Sequence, residues 1–152
     1  MMSAIKRLGV LTGGGDCPGL NPVIRAITRR ALMAGATVIG IRNGWKGLIE
    51  RETVQLDLQS VSGILPKGGT ILGTTNRGNP FSYHTTEHGQ PVVKDFSALC
   101  LDNMKRLKMD ALVVIGGDGT LSIAHKFFQL GMKVVGVPKT IDNDLSATEV
   151  TF

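Results

Sequence analysis

The apolar positions of this chain switch between two periods. Leu8 to Leu11 make a short apolar run that predicts a buried strand, and Leu20, Val23, Ile24, Ile27 and Ala31 then recur at helical spacing. Gly35 suits a left-handed helix end, so that helix stops near Ala34, and Val38 to Ile41 resume a strand. From Asn43 to Asn79 glycine is frequent and the period is mixed. A short strand near Val54 to Leu56, a short helix near Ser60 to Leu65 and a polar loop from Thr74 to Gly89 are expected there. Phe96, Leu99, Cys100, Met104 and Leu107 share one helical face, with Lys105, Arg106 and Lys108 in the last turn, where cations complement the helix dipole. Ala111 to Ile115 suit a strand buried on both faces, a helix runs through Phe127 to Leu130, Gly131 closes it, and Val134 to Val137 form a last strand.

This alternation predicts an α/β fold: a mainly parallel sheet with helices on both faces, in three layers. Ligands of such sheets gather outside the carboxyl ends of the strands. The loops that follow Leu11, Ile115 and Val137 are therefore the places to look for chemistry.

Composition narrows the choice of partner. At 152 residues, 42% hydrophobic and 19% charged, the chain has the make-up of one globular domain with a real core. Its longest apolar run, Ala111 to Ile115, falls far short of the ~18 residues of a membrane span. Met1 to Val10 lacks the apolar stretch and cleavage site of a secretion signal. Cys17 and Cys100 have no paired spacing, so two free thiols in a reducing cytoplasm are expected. The net charge of +5 suits anionic partners, but the basic residues are dispersed, aromatics are only 5%, and no RNP-like or zinc-finger pattern occurs. That argues against nucleic acid and leaves small phosphorylated ligands.

Each of the three loops supports two readings. Thr12-Gly13-Gly14-Gly15-Asp16-Cys17-Pro18-Gly19-Leu20-Asn21 lets bare backbone and helix amides approach a phosphate, or is a tight strand-to-helix turn. It is not a Walker A loop, because Leu20 follows Gly19 where Lys is required, nor a dinucleotide fingerprint, because Pro18 breaks the glycine spacing. Gly116-Gly117-Asp118-Gly119-Thr120 sets a carboxylate among glycines, either to meet Mg²⁺ beside phosphate oxygens or to cap the next helix. In Lys139-Thr140-Ile141-Asp142-Asn143-Asp144, an extended backbone presents Thr140, Asp142 and Asp144 on one face with Ile141 turned away. An acid there can take a proton from a substrate hydroxyl, or the segment is a turn rich in Asp and Asn. Trp45 reads as structural, Cys17 as a packing residue, and His84, His88 and His125 as solvated or locally bonded.

The order and spacing of these motifs, together with Gly68-Gly69-Thr70, resemble the phosphofructokinase family from Leu8 through Phe152. The resemblance implies a Rossmann-like nucleotide-binding domain. Residues 1–152 are then the amino-terminal donor-binding part of a phosphofructokinase, truncated before most of the half that binds fructose 6-phosphate, and the isolated chain is expected to turn over poorly or not at all.

By the same resemblance, Gly14 lies against the donor phosphates, and Arg77, with Gly78, touches the donor and stabilises developing charge. Gly117, Asp118, Gly119 and Thr120 bind ATP, with Asp118 as the acid associated with Mg²⁺. Thr140, Ile141, Asp142 and Asp144 contact fructose 6-phosphate; Asp142 is the catalytic base for the sugar 1-hydroxyl and Asp144 supports it. Gly119 resembles the ATP-using members and Lys139 the pyrophosphate-using ones, so the donor-specificity pair is mixed, with ATP preferred. The implied reaction is transfer of the ATP γ-phosphate to fructose 6-phosphate, the glycolytic step that gives fructose 1,6-bisphosphate. The full-length form is expected to be a homo-oligomer, dimer or tetramer. Arg25 and Arg29 resemble positions that bind an allosteric phosphate ligand between subunits, or make a solvated helix face. Two competing readings are a nucleotide-binding fragment without catalysis, and an NAD or diacylglycerol kinase sharing Gly-Gly-Asp-Gly-Thr. The first loop and the Pro138 to Asp144 segment speak against the latter.

Overall fold

The computed structural model describes residues 4–146, 148–149 and 151–152, so Met1 to Ser3 of the segment read for a leader lie outside the described residues. The elements run β1 (Arg7–Thr12), α1 (Leu20–Met33), β2 (Thr37–Ile41), α2 (Gly44–Glu50), β3 (Thr53–Leu56), β4 (Tyr83–Glu87), β5 (Gln90–Lys94), α3 (Ser97–Arg106), β6 (Ala111–Gly116), α4 (Asp118–Gln129) and β7 (Val134–Pro138). Five strands form one sheet in the order β3-β2-β1-β6-β7, and β4 pairs with β5 in a separate hairpin. β1 pairs in parallel with β2 and β6, and β6 with β7; only β3 runs antiparallel, against β2.

Successive residues of a strand face opposite sides, and here each side is covered. Val10, Val113 and Ile115 join Leu20 and Ile24 of α1 and Val61, Ile64 and Leu72 in one core. Leu11, Leu112 and Val114 pack on the other side with Leu48 of α2, Cys100 and Met104 of α3, and Phe127 of α4. The sheet is thus the middle of three layers, as the sequence pattern predicts. Fully buried Phe127 stacks on Trp45 with ring centroids 5.0 Å apart. Burial of a side chain of this size contributes about 1.5–3 kcal/mol.

Two local expectations fail, and one helix is an addition to them. The helix expected near Ser60 to Leu65 is a run of turns, opened by Asp57 and Ser60, whose side chains each accept the other's backbone N–H at 2.7 and 2.8 Å. Val61 and Ile64 still bury, because a turn delivers the i, i+3 spacing as well as a helix does, while Gly63 at φ 67° interrupts helical geometry. The helix Gly44–Glu50 was hidden by its glycines, which look like loop signals. Gly47 is there for packing: a Cβ on it would stand 1.7 Å from the carbonyl oxygen of Arg42. Finally, the polar loop expected to Gly89 ends early, as Tyr83–Glu87 forms a hairpin with Gln90–Lys94 across His88 and Gly89, both at positive φ.

Candidate active site

β1, β6 and β7 are parallel neighbours, so the loops after Thr12, Gly116 and Pro138 leave the same edge of the sheet. Between them lies a cleft of ≈ 470 Å³. Of the residues singled out from the sequence, Gly14, Arg77, Gly78, Gly117, Asp118, Gly119, Thr120 and Lys139 all line it. They come from four separate segments of the chain.

The N-terminus of α4 forms one wall of the cleft. Gly117 is its N-cap, with no side chain capping it, and Leu121 is the first residue to return a backbone bond, to the carbonyl of Gly117 at 2.9 Å. The amides of Asp118, Gly119 and Thr120 precede that bond and have no acceptor within the helix, so they are left for a ligand. Together with the helix dipole they favour negative charge at this spot. A Cβ added at Gly119 would meet nothing within 4 Å. The glycines around it serve packing instead: a Cβ on Gly13 or Gly116 would stand 2.7 or 2.6 Å from the buried side chain of Thr120.

The first loop contributes differently from expectation. Both backbone groups of Gly14 are engaged, its N–H donating to the Thr75 carbonyl at 3.2 Å and its carbonyl accepting from Thr74 Oγ1 at 2.8 Å. Gly14 therefore offers bare surface and no hydrogen bond. Nor does the start of α1 point into the cleft: the ring of Phe152 covers Gly19, where a Cβ would stand 2.6 Å from it. Asn21 is buried and clamps the next segment, donating to Lys67 O and accepting from Ile71 N. Cys17 is buried, and burial pushes its thiol up despite nearby Lys139, so it is a packing residue.

Lys139 is only 4% exposed, and its Nζ donates to the carbonyl of Gly15. No carboxylate pairs with it among the described residues, so its charge is uncompensated beside the free amides of α4. Asp118 is exposed, which removes the argument that burial alone would demand a cation. Among the described residues no group of three His, Cys, Asp or Glu could hold a metal by itself. One carboxylate beside a phosphate site is nevertheless how Mg²⁺ is commonly held, and Asp118 fits that mode.

Thr140, Ile141, Asp142 and Asp144 do not line the cleft; they follow β7 beside it. The expected extended backbone is instead a bent turn. Asn143 sits at φ 52°, and Thr140 Oγ1 donates to Asp144 Oδ1 across it at 2.5 Å. Ile141 is exposed, with its δ-methyl 3.3 Å from where a Cβ on Gly15 would be. Asp142 is exposed. Arg25 is half-buried and Arg29 exposed on α1, away from the cleft.

The residues missed from the sequence are Ser122, Ile123 and Lys126 on α4, Trp45 on α2, and Thr75, Asn76 and Asn79. The first three were discoverable. With Gly119 they recur at i, i+3, i+4 and i+7, one helical face running away from the phosphate end.

The phosphofructokinase family model matches residues 7–152 of the chain. This chain belongs to the phosphofructokinase family. It is 56% identical to the ATP-dependent 6-phosphofructokinase 2 of Clostridium perfringens over 154 residues, 100% of this chain but 42% of that protein. It is 52% identical to the pyrophosphate–fructose 6-phosphate 1-phosphotransferase of Dictyoglomus thermophilum, over 96% of this chain and 39% of that protein. The crystal structure of Pichia pastoris phosphofructokinase in the T-state superposes on 99% of this chain and 17% of its own, with a TM-score of 0.79 at 30% identity. The chain thus spans about two fifths of the length of the curated phosphofructokinases it matches. Among its described residues no helix is long and apolar enough to cross a membrane.

Proposed function

We propose that this chain is the donor-binding part of an ATP-dependent 6-phosphofructokinase acting in the cytoplasm. The reading is carried by one observation: residues from four segments converge on a cleft whose end wall is a helix N-terminus with free amides. The donor phosphates sit against Asp118, Gly119 and Thr120 amides, with Arg77 and buried Lys139 supplying positive charge and Gly14 leaving room for close approach. Asp118 would hold Mg²⁺ at this end of the cleft, and the ion, when bound, would supply positive charge against that of the transferring group. The nucleoside lies along Ser122, Ile123 and Lys126, toward Trp45.

Fructose 6-phosphate is the acceptor, contacted by Thr140, Ile141, Asp142 and Asp144. Asp142, exposed on its turn, takes the proton of the 1-hydroxyl as that oxygen attacks phosphorus. The Thr140–Asp144 bond holds the turn in shape. The complete enzyme is a homo-oligomer, and residues 1–152 alone bind donor without efficient turnover.

Pyrophosphate is the second reading, favoured by the burial of Lys139 at the phosphate end of the cleft. Titration calorimetry with Mg²⁺ separates the two: ATP binding more tightly than pyrophosphate supports the first, and the reverse order the second. In a chain carrying this sequence at the full length of its relatives, Asp142→Asn is expected to lower formation of fructose 1,6-bisphosphate about a hundredfold to ten-thousandfold with ATP affinity kept. Activity within tenfold of the parent would remove Asp142 from the role of base.

A further inference from the structure

The segment that carries Arg77 to the cleft is held by a residue that does not itself line the cleft. Thr12, the last residue of β1, is fully buried, and its Oγ1 donates to the carbonyl of Gly73 at 2.9 Å. Neither Thr12, its neighbour Thr70, nor Gly73 is among the lining residues. We propose that Thr12, through Thr70 and Gly73, is a positioning residue for Arg77: its hydroxyl fixes where the segment after Gly73 stands, and so sets the strength of the contact that Arg77 makes with the donor.

Each hydrogen of this network has one possible place. A carbonyl only accepts, so the single hydroxyl hydrogen of Thr12 goes to Gly73. The 3.0 Å contact between Thr12 Oγ1 and Thr70 Oγ1 is then a bond that Thr70 donates. Thr70 Oγ1 in turn accepts from the N–H of Leu72 at 3.1 Å. The three bonds make one directed relay, from the Leu72 amide through Thr70 and Thr12 to the Gly73 carbonyl, in which each bond polarises the next. Removing the Thr12 hydroxyl leaves two partners unpaired at once, the carbonyl of Gly73 and the hydroxyl of Thr70, and the segment must move for either to find a new one.

From Gly73 the hold passes along the chain to Arg77. Gly73 stands at φ 69°, Thr74 Oγ1 donates to the Gly14 carbonyl at 2.8 Å, and the Arg77 N–H donates to Thr75 Oγ1 at 3.0 Å. Thr74 is thus tied to a glycine loop, whereas the Thr12 bond ties Gly73 to the central strand of the sheet. Among the described residues no carboxylate pairs with the Arg77 guanidinium, so its place follows from that of its backbone. Asn21 secures the same stretch independently, at Lys67 and Ile71, upstream of Gly73. Loss of the Thr12 hydroxyl therefore releases residues 73–77 while the fold before them keeps its anchor. The effect on the donor rests on the reading of Arg77 as a donor contact; the relay does not.

Calorimetry of MgATP binding to the 152-residue chain tests this as a double-mutant cycle. Thr12→Val keeps the shape of the side chain and removes its hydroxyl, Thr12→Ser keeps the hydroxyl, and Arg77→Met removes the charge. ATP affinity is expected to fall about tenfold in T12V, to stay within about twofold of the parent in T12S, and to fall no further in the double variant than in R77M alone. Thr70→Val breaks the relay one step earlier and is expected to match T12V, which keeps the test available if T12V does not fold. The ¹H–¹⁵N spectrum gives a readout that needs no donor: the amides of Thr75 and Arg77 are expected to shift in T12V and T70V and to return in T12S. Equal weakening of ATP by Thr12→Val with and without Arg77, weakening in T12S as large as in T12V, or unmoved Thr75 and Arg77 amides overturns the positioning role. A parent chain that does not bind ATP, or an R77M chain that binds it as the parent does, overturns the donor reading of Arg77 instead, and the amide shifts then decide by themselves whether Thr12 holds the segment.

Discussion

Two glycine-rich loops leave the same edge of the sheet, one after β1 and one after β6, and they use their glycines for opposite purposes. After β1, Gly13 is pressed against Thr120, Gly14 has both backbone groups bonded to Thr74 and Thr75, and Gly19 lies under Phe152. After β6, Gly119 has open space above it and three helix amides without an acceptor in the helix. Glycine richness marks close approach, and only the surroundings reveal whether protein or ligand does the approaching.

The sharpest way to break this contrast is to add a side chain to each loop. Gly119→Asp meets no protein atom, so the fold is expected to keep its stability while ATP affinity falls about a hundredfold, since a carboxylate then faces the phosphates across a short distance. Pyrophosphate, having no α-phosphate bearing a nucleoside, loses less. Equal loss of both donors, measured by calorimetry, would show that Gly119 does not select between them.

Gly19→Ala should behave in the opposite way. The added methyl collides with Phe152 at a residue held at φ 99°, and the expected result is about 2 kcal/mol lost from unfolding free energy with ATP affinity nearly unchanged. Urea unfolding of the variant checks this. Full stability together with weakened ATP binding would return the start of α1 to the donor site.

A smaller effect comes from Cys17, at the start of α1. Burial raises its thiol pKa, so at pH 8 the folded protein carries less thiolate at this position than the unfolded chain does. Alkylation by iodoacetamide is expected to be slower folded than unfolded, and to speed up as pH rises toward the raised pKa. Faster labelling in the folded state would mean that the helix N-terminus activates this cysteine.

How much of this was legible beforehand follows the same division. The three-layer fold was readable because strands such as Leu8 to Leu11 and Ala111 to Ile115 carry continuous apolar runs, and α1 and α4 have clean helical faces. Much of the lining of the cleft was readable too, because Gly116 to Thr120 combine a strand end, glycines and an acid in five residues. The interior of 43–89 was not. There Gly44 and Gly47 belong to a helix, Val61 and Ile64 to turns, and Tyr83 to Glu87 to a strand with a polar surface, so the local pattern matches no single period. The bent shape of Thr140 to Asp144 was hidden as well, being set by Asn143 in a left-handed conformation and by the Thr140–Asp144 bond.

The most direct test of the donor cleft is a ¹H–¹⁵N spectrum of the 152-residue chain titrated with MgATP. The amides of Asp118, Gly119 and Thr120 should show the largest saturable shifts, while Leu20 and Asn21 stay still. Shifts concentrated at the start of α1, or no saturable change at α4, would contradict the assignment of the α4 N-terminus as the phosphate cradle.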